Sequence, residues 1–171
     1  MIFGMTTLTF VHVLISLAGI ISGLVVVFGM RSGKRLESWT ALFLVTTILT
    51  SVTGFFFPFN GITPGIVVGI LSLVVLAAAM FARYRRDLLG GWRTTYVISA
   101  VLALYFNVFV LVVQLFEKGP ALHALAPKGS EPPFAITQVI VLAIFVALGI
   151  AAVKGFRGKV ELVRDQKARA A

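Results

Sequence analysis

The chain has 171 residues, of which 59% are hydrophobic and only 12% charged, with a net charge of +9, no cysteine and a mean hydropathy of +1.04. A soluble domain carries roughly 25% charged residues. This deficit, joined to apolar runs of about 20 residues, implies one integral membrane domain and excludes a sizeable soluble one. Without cysteine there are no disulfides, iron–sulfur clusters, thiolate metal sites or cysteine nucleophiles, and zinc would have to rely on two histidines and a few carboxylates.

The fold class expected is an all-α, polytopic membrane helix bundle. Five transmembrane helices are predicted at about 6–30, 39–57, 64–84, 94–116 and 134–154. Each exceeds the roughly 17 residues that cross about 30 Å of hydrocarbon. Met1 to Phe10 has no basic residue and no small-x-small site follows the first run, so that run is expected to stay in the mature protein. "FPFNGITPG" (57–65) separates the second and third spans with Pro, Gly and Asn turn chemistry. An outer loop at 117–133 precedes the last span, and a basic tail at 157–171 follows a membrane domain of residues 1–156.

Within the outer loop, Gly119-Pro120 opens "ALHALA" and Pro127 closes it, which predicts a short helix lying on the membrane surface. Leu122 and Leu125, three apart, are expected to face down. Ser130-Glu131-Pro132-Pro133 then leads stiffly into the last span. Glu117, Lys118, His123 and Glu131 are the candidate surface residues of this loop.

Charge placement gives the orientation. Arg31, Lys34 and Arg35 follow the first span; Arg83, Arg85, Arg86 and Arg93 follow the third; Lys154, Arg157, Lys159, Arg164, Lys167 and Arg169 follow the fifth. Lys118 and Lys128, the remaining two, share their loop with Glu117 and Glu131. The positive-inside rule puts the N-terminus outside and the C-terminus in the cytoplasm. The basic charge is then explained by topology and by attraction to the anionic lipids of the bilayer, and nucleic acid is not expected as a partner. Trp39, Trp92 and Tyr84 sit where an interfacial aromatic belt belongs.

Polar residues inside spans are the functional pointers of a membrane chain. His12, Thr50, Thr53, Asn107, Gln114 and Gln138 all fall in the outer half of the predicted bundle. Two readings of them are open. They can bond helix to helix, alongside the small-residue faces Gly19/Gly23, Gly65/Gly69 and Ala143/Ala147. Or they can line a polar ligand pocket under the outer loop. His12 has the chemistry to ligate haem, bond a quinone carbonyl or respond to pH, and His123 is the only other histidine available as a second haem ligand. No Asp, Glu, Lys or Arg lies at mid-span, which argues against ion-coupled transport. No P-loop, metalloprotease motif or Gly-x-Ser-x-Gly elbow is present, and no metal site is expected.

The segments "HVLISLAGIISG", "SVTGFFFPF", "NVFVLVVQLFEK" and "LAPKGSEPPF" give the chain, from Leu8 to about Phe156, a pattern that resembles a group of small, uncharacterised polytopic proteins of the bacterial inner membrane. That resemblance implies an inner-membrane location and brings no established activity, cofactor or catalytic residue. The expected function is a non-enzymatic accessory or structural component of a membrane assembly, held in the lipid bilayer and packing against a membrane-protein partner or a copy of itself. The alternatives are a small haem- or quinone-handling protein using the outer polar residues, and a carrier of a neutral or lipophilic molecule.

Overall fold

A computed structural model describes residues 6–58, 64–156 and 166–170. The described residues are helical and contain no strand. In chain order the elements are α1 (Thr7–Arg31), α2 (Glu37–Gly54), α3 (Pro64–Met80) continuing as a π-helical turn (Phe81–Arg85), α4 (Gly91–Lys118), α5 (Pro120–Leu125) and α6 (Pro132–Gly155). Residues 59–63 of the predicted turn and 157–165 of the tail lie outside the described residues.

Apolar sequence forms helix here because every backbone group except those at the ends is bonded within the segment, as hydrocarbon surroundings demand. The ends are closed locally. Thr6 caps α1 through its side chain, which accepts from the Thr9 amide. At the other end Gly33, at φ +70, donates to Met30 O at 3.0 Å while Lys34 N–H reaches Gly29 O at 2.8 Å. This is a Schellman ending, and its left-handed residue is the reason Gly33 is a glycine. The α3–α4 connection is more unusual. Asp87 and Leu88 have φ of 49° and 60°, and Leu88 donates to Ala82 O at 3.1 Å. The Leu88 side chain is buried, which holds that costly backbone in place.

The helix α4 is the hub and touches each of the other helices. Its Val97, Ala100, Ala103 and Leu104, at helical spacing, are fully buried against Val27 and Met30 of α1, Phe43 of α2, Leu76 and Ala79 of α3, and Ala152 of α6. The outside of the bundle is as apolar as its inside: Val74 is 62% exposed and Val139 64%. Such a surface is unstable in water and ordinary against lipid. Four helical segments, Thr7–Arg31, Gly65–Arg85, Gly91–Lys118 and Pro132–Gly155, are long and apolar enough to cross a membrane. The helix α2 packs along α1 but is not among these four, because Glu37 opens it and seven hydroxyls follow. Four of these hydroxyls bond back to their own helix: Thr46 to Leu42 O at 2.7 Å, Thr50 to Thr46 O at 2.9 Å, Ser51 to Thr47 O at 3.0 Å and Thr53 to Leu49 O at 2.7 Å. That removes most of their polarity from the surroundings.

The small residues divide into two kinds. A Cβ on Gly23 would meet Leu104 at 2.6 Å and Phe43 at 2.8 Å, and one on Gly19 would meet Asn107 and Thr46 at 3.2 Å. These two glycines let α1, α2 and α4 approach. A Cβ on Gly69 would meet the Phe55 ring at 3.1 Å. By contrast Gly65, Ala143 and Ala147 are exposed. The α6 residues that face the bundle are instead Gln138, Phe145 and Ala152, so the Ala143/Ala147 stripe points outward.

Candidate functional site

Arg31, the π turn, the start of α4 and Lys154 gather at one end of the bundle, here the basic end. The six predicted polar residues lie toward the far end, where they make several separate links. His12 Nδ1 lies 2.8 Å from Thr53 Oγ1, joining α1 to α2. Thr53 spends its own proton on Leu49 O at 2.7 Å. The neutral His12 ring therefore donates from Nδ1, and its Nε2 is an acceptor with no partner among the described residues. The ring stands edge-on to Phe57 with centroids 5.1 Å apart. Asn107 Nδ2 reaches Thr47 Oγ1 at 3.5 Å, joining α4 to α2 beside Gly19. Gln138 Nε2 donates to the Phe109 carbonyl at 3.3 Å, joining α6 to α4. Its Oε1 is buried without a partner among the described residues. Gln114 contacts Glu117 at 3.4 Å on the same helix, and Thr50 donates to Thr46 O of its own helix. The residues share a half of the bundle, but these bonds run helix to helix rather than converging on one cavity.

The outer loop is built from the predicted punctuation with one difference. Leu122 of α5 and Ala126, just past its end, pack with Val112 and Phe116 of α4, while Leu125 is 58% exposed. Ala126 takes the downward position expected for Leu125 because the chain leaves the helix there. Lys118 and His123 are exposed. Glu131 clasps the turn: its Oε1 accepts from Lys128 N–H and its Oε2 from Ser130 N–H, each at 3.0 Å. The Lys128 amide bond foremost, then its own and Ser130's amides and the Lys128 charge, hold this carboxyl below its ordinary pKa. A depressed carboxylate stabilises the folded turn above the ordinary carboxylate range and loses that contribution as pH falls through the folded value. The protection of the Lys128 and Ser130 amides, measured relative to the intrinsic exchange rate at each pH, should therefore be high near neutral pH and fall on acidification into that range. Glu131→Gln should remove the acid-dependent step; an unchanged pH profile in that variant would contradict the clasp.

The basic end holds a cluster that sequence reading missed. Arg83 appears in the sequence as one loop cation among four, yet it is 4% exposed. The π turn swings its side chain inward, where Nη2 pairs with the Glu37 carboxylate at the start of α2. Its Nη1 donates to the Tyr96 hydroxyl of α4 at 3.2 Å. The guanidinium also sits over the Tyr96 ring at 5.2 Å and near that of Tyr84 at 5.8 Å. Arg35 lies 3.9 Å from the same carboxylate. One buried cation thus ties three helices where the spans meet the interface. Nearby, Arg93 reaches across to α6, donating to the Val153 carbonyl at 3.0 Å and to the Phe156 carbonyl. The available signal was Glu37 itself, the only acidic residue before Asp87; an acid set among basic residues at a span boundary invites a partner.

Fold, surface and polar links together define an all-helical membrane protein with four helices able to span a bilayer. No family model, curated protein or solved structure matches the chain, so its own residues carry the functional argument.

Proposed function

We propose that the chain is a five-span protein of the bacterial inner membrane, N-terminus outside and basic end in the cytoplasm, that serves as a non-catalytic packing component of a membrane assembly. The carrying observation is the outward face of α6. Only 17% of its apolar window is buried, against 44% for α1 and α4, and that face presents Ala143 and Ala147. Small residues let a second helix approach closely enough for backbone-level packing, the main source of helix association in lipid. In keeping with this, the intramembrane polar groups that would otherwise line a site are largely committed to bonds within their own helix or to a neighbouring one. Purified from its native membrane in mild detergent, the protein should elute as a particle heavier than one chain, with a partner or a second copy. Ala147→Leu should release the single chain with its helicity intact. A wild-type particle of one chain and no partner would end this reading.

A second reading rests on His12. Its Nε2, freed as an acceptor by the Thr53 bond, has the chemistry to ligate haem iron or accept from a quinol hydroxyl. The same preparation tests it. A visible band or an extractable quinone that disappears in His12→Ala would replace the packing reading with a redox one. A colourless, quinone-free wild type would remove the redox one.

A further inference from the structure

Between α4 and α6 runs a groove of about 380 Å³. Its wall is almost wholly apolar, and it ends at Thr94 and Lys154 on the basic side and at Tyr105 and Leu142 toward mid-bundle. Phe145 and Tyr105, with ring centroids 5.6 Å apart, close that inner end. We infer that this groove is a specific site for an anionic phospholipid of the leaflet at the basic end, its acyl chain along α4 and α6 and its phosphate between the Lys154 ammonium and the Thr94 hydroxyl.

Three features point to this occupant. The first is depth. From Thr94 to Tyr105 the groove runs roughly 17 Å at 1.5 Å per residue, close to the roughly 15 Å of hydrocarbon in one leaflet. The second is width. Spread over that length, even the whole empty space of about 850 Å³ gives a mean cross-section of roughly 50 Å², short of the roughly 80 Å² of a helix about 10 Å across. A single hydrocarbon chain fits the slot and a helix of a second copy does not. The third is charge at the mouth and nowhere else. The Lys154 stem lines the groove and its ammonium makes no ion pair with any described residue, the posture of a lysine snorkelling to the interface. The Arg93 bonds to the end of α6 fix the two walls relative to each other. Gly149 keeps the slot open: a Cβ there would lie 3.6 Å from Val101 Cγ1, so anything larger than a methyl would project into the groove.

The test is lipid retention. The protein is reconstituted in nanodiscs of equal phosphatidylglycerol and phosphatidylcholine, extracted into mild detergent, and the retained lipid is identified by native mass spectrometry. Wild type should keep one phospholipid, with phosphatidylglycerol favoured about fivefold, the ratio that one cation near the lipid phosphates supplies. Lys154→Gln, on an exposed side chain, should bring that preference close to parity. Gly149→Leu should abolish retention, with Gly149→Ala as the folded control that still binds. Equal retention of both lipids by wild type, or an unchanged preference in Lys154→Gln, would overturn the inference. So would Gly149→Leu releasing a subunit while keeping its lipid. Should Gly149→Leu fail to fold, the Lys154→Gln preference decides alone.

Discussion

Glu37→Ala is expected to destabilise the protein by about 3 kcal/mol, the scale of leaving a buried charge without its partner. Arginine does not shed its proton, so Arg83 must keep its charge in a site that is 4% exposed. Without the carboxylate it retains only the Tyr96 hydroxyl at 3.2 Å and the two aromatic faces. Its Nε is already without a partner among the described residues. Glu37 is in a different position, with 66% of its side chain exposed, so water can solvate it when Arg83 is removed. Arg83→Met should therefore cost less, about 1–2 kcal/mol. The double variant should be no less stable than Arg83→Met alone. Unfolding midpoints in mild detergent, arranged as a double-mutant cycle, read this directly. Strictly additive losses would contradict the pairing. The larger loss is thus assigned to the residue that is more exposed, which burial alone would not suggest.

Gly155→Ala should be at least as damaging, although it adds one methyl group. A Cβ at Gly155 would overlap the Arg31 carbonyl and stand 2.8 Å from Arg31 Cα. Backbone meets backbone, so no side chain can rotate away, and α6 must retreat from α1. That retreat would also draw the Val153 and Phe156 carbonyls off Arg93. Overpacking usually costs about 1–3 kcal/mol, and this site belongs at the upper end. Gly23→Ala makes the comparison: its new methyl meets only side-chain atoms of Leu104 and Phe43, and Leu104 has rotamers to use. The unfolding midpoint should fall further for Gly155→Ala than for Gly23→Ala; the reverse order would refute the close approach of α6 to α1.

Hydropathy made the all-helical bundle legible, because long uncharged runs have no other stable form in hydrocarbon. Local chemistry was legible as well: Gly119-Pro120 and Pro127 bracket α5. What sequence could not show was direction. Ala143 and Ala147 repeat at the spacing of a packing face, yet α6 is apolar all round and its pattern does not say which side meets the bundle. Arg83 was hidden for a related reason. A basic residue at the end of a span normally belongs to the loop, and only the π turn with the left-handed Asp87 and Leu88 carries this one inward. Its partner is 46 residues away in sequence. The polar layer at the far end was visible as a set of residues at one depth, but its pairing depends on helix rotation, which places His12 beside Thr53 and Asn107 beside Thr47.

The proposed five-span topology, with its basic end inside, turns on α2, the long helix that is not among the four apolar enough to span. The chain has no cysteine, so single cysteines introduced by Ser32→Cys and Pro58→Cys, before and after α2, report sidedness without background. In intact cells a membrane-impermeant maleimide should label Pro58→Cys at once and Ser32→Cys only after the inner membrane is broken. Labelling of both positions under the same condition would show that α2 does not cross, and would contradict the five-span topology.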